Sequence, residues 1–147
     1  MVGEIKVYFE DVEVGSQIPE LKKPPIERLQ LVKYAGASGD YNPIHVDEPY
    51  AKSGGYPSVF AHGMLSMGFV GQLLTDWAGV GNLREFGVRF RAITWPGDVI
   101  TCKGVVKSKR QVAEGNLVDL EVWAENQKGE KTVAGTAVVE LPSKGVK

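Results

Sequence analysis

The sequence predicts an α+β domain in which an antiparallel sheet packs around one long apolar helix. Two observations carry this. Gly63 to Ala78 holds Met64, Leu65, Met67, Phe69, Val70, Leu73, Leu74 and Trp77 at helical spacing, on more than one face, as in a helix enclosed by other structure. From Val88 onward the pattern becomes alternation, with Val118, Leu120, Val122 and Ala124 interleaved by Asp119, Glu121, Trp123 and Glu125. Helices first and strands after argue for segregated α and β structure rather than βα repeats.

The elements follow in order. Val12 to Gly15 ends in a turn glycine, residues 1–25 read as irregular to extended, and Ile18 to Leu21 suits a short strand. Pro24 and Pro25 open a helix over 26–37, because proline fits the first helical turn. Ile26, Leu29, Val32 and Ala35/Gly36 supply its apolar stripe, and Ser38-Gly39 ends it. The segment 38–61 carries Pro43, Pro49 and Pro57 with Gly39, Gly54 and Gly55, so its regular structure is short. Glu48 to Ser53 suits one or two helical turns, and Ser58 to Phe60 an extended run. The helix 63–78 would be roughly 24 Å long. Val88, Phe90 and Ala92 alternate with Arg89 and Arg91 as a half-buried strand, and Trp95 to Asp98 is a turn. Val99 to Ala113 is a long strand, Glu114 to Asn116 the next turn, and Lys128 to Glu130 another hairpin. Thr132 to Leu141 completes four long antiparallel strands, and 142–147 should fray. A sheet edge left open invites pairing with a second copy of the chain.

One domain is the expectation over 1–147, with enough chain to bury a core without staples. The net charge of −1 leaves no basic footprint for nucleic acid. Lys107-Ser108-Lys109-Arg110 reads as a solvated strand end. Cys102 stands alone, so neither an intramolecular disulfide nor a cysteine-based zinc site can form, and a reducing, cytoplasmic setting is the simplest inference. No secretory signal is visible, and Gln72, Thr75 and Asp76 interrupt the longest apolar stretch, so no membrane span is expected.

The chemistry concentrates between Gly36 and Met67, which contains both histidines of the chain, His45 and His62. Asp40-Tyr41-Asn42-Pro43-Ile44-His45 places an acid and a base in a segment constrained by proline and glycine. Aspartate and asparagine before proline are also ordinary turn residues, and a histidine beside an apolar segment is often a hydrogen-bonded core residue. The segment that follows, Ala61-His62-Gly63-Met64, opens the apolar helix. Helix-start N–H groups lack partners and carry the positive dipole end, so they can stabilise an oxyanion. Glycine there lets a substrate approach the backbone.

The run Ala35 to His45 resembles the hydratase motif of the MaoC-like family, in which Asp is followed by Asn-Pro and then His. Phe60-Ala61-His62-Gly63-Met64-Leu65 also matches. The chain also resembles the catalytic subunits of mycobacterial-type hydroxyacyl-ACP dehydratases, through Met64 and into Val88-Arg89-Phe90. The resemblance implies a hot-dog fold, a sheet wrapped around helix 63–78. It implies a homodimer, or a heterodimer with a paralogous hot-dog subunit, with the acyl tunnel near the interface. It implies (R)-specific hydration of trans-2-enoyl thioesters or dehydration of (3R)-hydroxyacyl thioesters in fatty-acid metabolism. The substrate would be an acyl-CoA or acyl-ACP, and no metal or redox cofactor would be needed. Asp40 and His45 carry over as the catalytic pair and Gly63 as the backbone oxyanion donor. Asn42, Ser58, His62 and Met64 carry over as positions supporting the pair or lining the substrate, His62 reading more as structural than catalytic.

Two other functions compete. A hot-dog acyl thioesterase would hydrolyse the thioester, but such enzymes generally lack the full Asp-x-Asn-Pro-x-His pattern. A non-catalytic acyl-binding subunit of a heterodimer would need neither Asp40 nor His45. Met64, Met67, Phe69, Trp77, Trp95 and Trp123 are read as packing and Cys102 as a buried strand residue. Arg84, Arg89, Arg91 and Lys107 are candidates for carrier phosphates that the sequence leaves unranked.

Overall fold

The computed structural model describes residues 7–145; the expectations for 1–6 and for the last two residues fall outside them. Three helices, α1 (Arg28–Ser38), α2 (Glu48–Ser53) and α3 (Gly63–Ala78), accompany five strands: β1 (Leu21–Lys22), β2 (Leu83–Phe90), β3 (Thr101–Val112), β4 (Gly115–Glu125) and β5 (Lys131–Glu140). The strands form one antiparallel sheet in the order β1-β3-β4-β5-β2. The sheet curls around α3, which touches β2, β3, β4 and β5. This is the α+β hot-dog fold.

The core follows from the alternation on β4. Val118, Leu120, Val122 and Ala124 face α3 and are buried, while their neighbours point outward. From α3, Leu65, Phe69, Val70, Leu73 and Leu74 enter the same core. Burying each of these larger side chains stabilises the fold by about 1.5–3 kcal/mol. The far side of α3 is less apolar in effect than its composition suggests: Met64 and Gly68 remain exposed.

Strand β2 does not continue a simple meander. It pairs with β5, from Leu83↔Val139 to Phe90↔Val133, and not with β3, which follows it in sequence. Gly135 permits this. A Cβ on Gly135 would lie 1.9 Å from the carbonyl oxygen of Gly87, so only hydrogen at 135 allows the strands to approach. β2 is therefore an edge strand, and β1 forms the other edge.

Several boundaries differ from the sequence reading. The first helix begins at Arg28, after N-cap Glu27, and not at Ile26. Ile26 is held extended by two backbone bonds, its N–H to Asp98 O at 2.9 Å and its carbonyl to Gly97 N at 2.7 Å. The buried face of α1 is Leu31 and Ala35, whereas Leu29 and Val32 are exposed. The short strand is Leu21–Lys22, with Gln17 making an isolated bridge to Val105; Pro19 lacks the N–H a continuous 18–21 ladder needs. β2 runs 83–90, and Ala92 lies beyond it, because Arg91 and Ala92 both donate to Thr132 O and end the ladder. Ser58 to Phe60 joins no ladder. The β3–β4 hairpin turns at Ala113-Glu114, and Gly115 already belongs to β4. Helices 48–53 and 63–78 and the C-cap at Gly39, with φ 76°, agree with expectation. No helix among the described residues is long and apolar enough to cross a membrane.

Candidate active site

The Asp40–His45 loop is built by side chains that mimic backbone. Ser38 Oγ accepts from Asp40 N, Asp40 Oδ1 from Asn42 N and Asn42 Oδ1 from Ile44 N, each at 3.2 Å. Asn42 thereby caps the 3-10 turn Pro43–His45, whose first residue needs no N–H of its own. His45 N closes the turn on Asn42 O at 3.1 Å. Downstream, Asp47 caps α2 through Tyr50 N at 3.1 Å. The turn chemistry of Asp40 and Asn42 and their place in a site are thus compatible, since Asp40 Oδ1 holds the loop and Oδ2 is left to face His45.

His45 is buried, with 7% of its surface accessible, whereas the Asp40 side chain is half exposed. His45 Nδ1 lies 2.7 Å from Phe60 O. A carbonyl only accepts, so Nδ1 carries the proton and the Nε2 of a neutral ring is a lone pair. That Nε2 sits 3.8 Å from Asp40 Oδ2, beyond direct hydrogen bonding but within reach of a shared oxygen atom lying off the line between them.

His62 is the N-cap of α3 and is 1% accessible. Its ring stacks on His45 with centroids 3.9 Å apart, and Tyr34 packs edge-on at 4.8 Å. Nε2 donates to Asp40 O at 3.1 Å, leaving Nδ1 as a buried lone pair with no hydrogen-bond partner among the described residues. Burial pushes the His62 pKa below the ordinary histidine value, more than the bond to Asp40 O raises it, and nearby His45 lowers it further. Burial of the His62 ring thus favours its neutral form.

Gly63 opens α3; Leu65 N turns back onto His62 O at 3.1 Å, while the Gly63 N–H stands at the helix start, where no intrahelical carbonyl precedes it. A Cβ at Gly63 would meet the Phe90 ring at 3.1–3.3 Å. Beside it lies a cavity of about 300 Å³ lined by Phe60, His62, Gly63, Ser66, Phe90 and Thr94, among others. His62 and Gly63 line this cavity, and Asp40 and His45, which do not, are joined to it through the His62 ring. Met64 follows on the exposed side of α3. Ser58 has polar contacts elsewhere: its Oγ donates to Val59 O at 2.9 Å and accepts from Arg28 Nη2 at 3.3 Å, and that guanidinium also holds Glu48 at 3.0 Å. One contributor left no signal in the sequence, the Phe60 carbonyl, a backbone group; Phe90, read there as part of an alternating strand and of the resemblance, brings its ring to Gly63 from the end of β2.

Asp40, His45 and His62 place potential metal-ligating atoms within 4.8 Å of one another. The set does not fit a single ion. The two imidazoles are stacked 27° from parallel, so their in-plane lone pairs run side by side instead of converging. Of the four ring nitrogens, His45 Nδ1 and His62 Nε2 are already committed to carbonyls.

Comparison with known proteins gives consistent relatives. The chain is 33% identical over 144 residues to an (R)-specific enoyl-CoA hydratase of Rhodospirillum rubrum, covering 94% of each chain. It is 31% identical to a 3-hydroxybutyryl-CoA dehydratase of Methylorubrum extorquens, over 98% of this chain and 90% of that one. The structure superimposes on the R-hydratase PhaJ1 from Pseudomonas aeruginosa with a TM-score of 0.81 and 26% identity, covering 95% of this chain and 88% of the other. The profile of the MaoC like domain matches residues 11–140, which takes in the whole Asp40–His45 loop, α3 and all five strands, and the chain belongs to that family.

Proposed function

We propose that this hydro-lyase adds water to trans-2-enoyl thioesters, and removes it from (3R)-hydroxyacyl thioesters, using Asp40 and His45 as its acid–base pair. The observation that carries the reading is the 3.8 Å approach of Asp40 Oδ2 to a His45 Nε2 whose lone pair is fixed by the Phe60 carbonyl. That pair adjoins the start of α3, and the relatives are named for the same pair of opposite reactions.

The chemistry follows from the parts. The thioester carbonyl oxygen receives the Gly63 N–H, which draws electron density from C3. Water between the pair gives a proton to His45 Nε2 as its oxygen bonds to C3. The carboxyl of Asp40 gives its proton to C2, and the carbonyl returns to its neutral form. The proton on His45 then passes to the Asp40 carboxylate, which restores the starting state. Dehydration runs the same steps backward. Every proton is accounted for, and no other group is required by the balance.

The open edge of β2 supports a second reading about assembly. Phe90 at its end is 56% exposed and Met64 on the adjoining helix 54%. We infer that a second copy pairs along β2 and covers both, so that sedimentation equilibrium gives twice the chain mass. A mass reached only with a paralogous chain present would assign a heterodimer instead.

The test of activity is loss of enoyl absorbance with crotonyl-CoA. Asp40→Asn and His45→Ala should each lower the rate at least roughly 100-fold. Unchanged rates in both would remove the assignment. Release of free thiol without loss of the alkene would make the protein a thioesterase.

A further inference from the structure

The cavity at Gly63 carries a pair of hydroxyl groups that the acid–base chemistry does not use. Ser66 of α3 and Thr94, from the segment after β2, both line it, and each is only 3% accessible. Their hydroxyl oxygens stand 3.4 Å apart. That is long for two hydroxyls, which normally approach to about 2.7–2.8 Å. Thr132, a third hydroxyl on the cavity wall, is already engaged: its Oγ1 donates to Ala124 O at 3.3 Å.

The proton count of the pair does not close. Each hydroxyl has one proton, and among the described residues the only hydrogen bond of either oxygen is to the other. One proton serves that bond, and the second has no acceptor. The usual outlet of a helical serine, the carbonyl four residues back, is not taken by Ser66; His62 O receives Leu65 N instead, at 3.1 Å. A buried hydroxyl proton left over in this way calls for an acceptor from outside the chain.

Position says which hydroxyl meets that acceptor. Residues three apart share a helix face, and helical side chains lean toward the N-terminus. Ser66, three residues after Gly63, therefore leans back toward the turn from which the Gly63 N–H emerges. Thr94 comes from a separate segment and is anchored through its carbonyl, which accepts from Ala61 N at 2.9 Å.

We propose that Ser66 Oγ is a second donor to the thioester carbonyl oxygen, beside the Gly63 N–H, with Thr94 donating to Ser66 and aiming it. This rests on the thioester reading above and adds a catalytic residue to it. The carbonyl oxygen points into the cavity, while the alkene stays outside with Asp40 and His45, which do not line it. That oxygen gathers negative charge as water adds to C3. A donor already fixed in place stabilises the charge more than it binds the ground state. Ser66 keeps its proton throughout, and Thr94, acting only through Ser66, is a positioning residue.

Two measurements test it. The first is crotonyl-CoA hydration. Ser66→Ala should lower kcat roughly 10- to 100-fold with KM little changed, the mark of a donor that acts in the transition state. Thr94→Val should lose less, roughly 3- to 10-fold, because the Ser66 hydroxyl remains. Ser66→Thr keeps the hydroxyl and should recover most of the rate. Ser66→Cys, close in size but a poorer donor, replaces the alanine variant if that one does not fold. The second measurement needs no turnover. Butyryl-CoA labelled with carbon-13 at its carbonyl has no alkene, and its carbonyl infrared band moves to lower frequency as donors close on the oxygen. The band should lie lower in wild type than in Ser66→Ala. A rate and a band that Ser66→Ala leaves unchanged overturn the proposal, and the hydroxyl pair then holds a water only; the reaction assignment still stands. A raised KM with kcat unchanged overturns it too, since Ser66 would then serve binding alone. If the band responds to Ser66 but wild type does not hydrate crotonyl-CoA, the reaction assignment fails and the contact stands.

Discussion

His62 lies face to face on His45, ring centroids 3.9 Å apart, while its Nε2–H holds the Asp40 carbonyl at 3.1 Å. One buried side chain thus fixes the ring of one proposed catalytic residue and the backbone of the other. His62→Ala would remove both restraints. It should destabilise the fold by about 1–3 kcal/mol through the unpaired carbonyl and lost packing. It should also lower kcat roughly 10- to 100-fold by misplacing the pair. His62→Phe keeps the stack but not the donor, so it should recover stability more fully than kcat. Denaturant melts and steady-state kinetics on the two variants separate these effects; equal recovery of both would reduce His62 to packing.

The same burial sets a pH dependence. The folded pKa of His62 lies below its unfolded value, near 6.5. Above the unfolded value neither state binds the proton, and His62 leaves stability unchanged with pH. As pH falls through about 6.5 the unfolded chain takes up a proton that the folded chain does not, so stability declines until the folded pKa is passed. Thermal melts between pH 7.5 and roughly pH 4.5 should show this acid-side decline. It should be shallower in His62→Phe, which has no ring to protonate. A variant as acid-sensitive as wild type would place the effect on other groups.

The two histidines should hold opposite tautomers when neutral. His45 donates from Nδ1 to Phe60 O, and His62 donates from Nε2 to Asp40 O. Nitrogen-15 spectra of selectively labelled protein at neutral or higher pH distinguish the two forms directly. An Nε2–H tautomer at His45 would leave no lone pair facing Asp40 and would remove the proposed base.

Much of this was readable from residue order, and the failures have physical causes. Helix α3 and the inward set Val118, Leu120, Val122 and Ala124 were legible because burial imposes a single period on each. α1 was not, since apolar residues at 29, 31, 32, 34 and 35 allow more than one stripe, and only contact with the rest of the fold selects Leu31 and Ala35. The partner of β2 was hidden because the need for glycine at 135 comes from Gly87 O and Val88 Cα, backbone atoms of a strand far away in sequence. In the site, the motif exposed Asp40 and His45, but the atom that sets the His45 tautomer is a carbonyl, which every residue has. The stack between His45 and His62 spans two segments whose contact no local pattern announces.

Gly135→Ala tests the strand approach. The added Cβ would stand 1.9 Å from Gly87 O, and Val88 Cα is the next atom at 2.7 Å. Both are backbone, so relief requires moving β2 away from β5. The substitution should cost at least about 3 kcal/mol, the upper range of overpacking, measured by denaturant unfolding. Gly129→Ala, with open space around it but φ 76°, should cost less. Comparable losses at the two positions would show that the strand contact at Gly135 costs no more than the backbone strain at Gly129.

Gly63→Ala separates access to a backbone N–H from helix stability. Alanine favours the helix by up to about 1 kcal/mol over glycine. Its Cβ would press the Phe90 ring at 3.1–3.3 Å, but that ring is half exposed and can swing aside. The two effects oppose each other, so the fold should change by no more than about 1 kcal/mol. Activity should nevertheless fall roughly 10-fold or more, because a methyl group would occupy the approach of the thioester carbonyl to the Gly63 N–H. Adding Phe90→Ala removes the crowded ring and leaves that methyl in place. The double variant should therefore remain impaired on crotonyl-CoA, whereas recovery would mean that Phe90 had been pushed into the substrate path and that Gly63 matters only as the space beneath an aromatic ring.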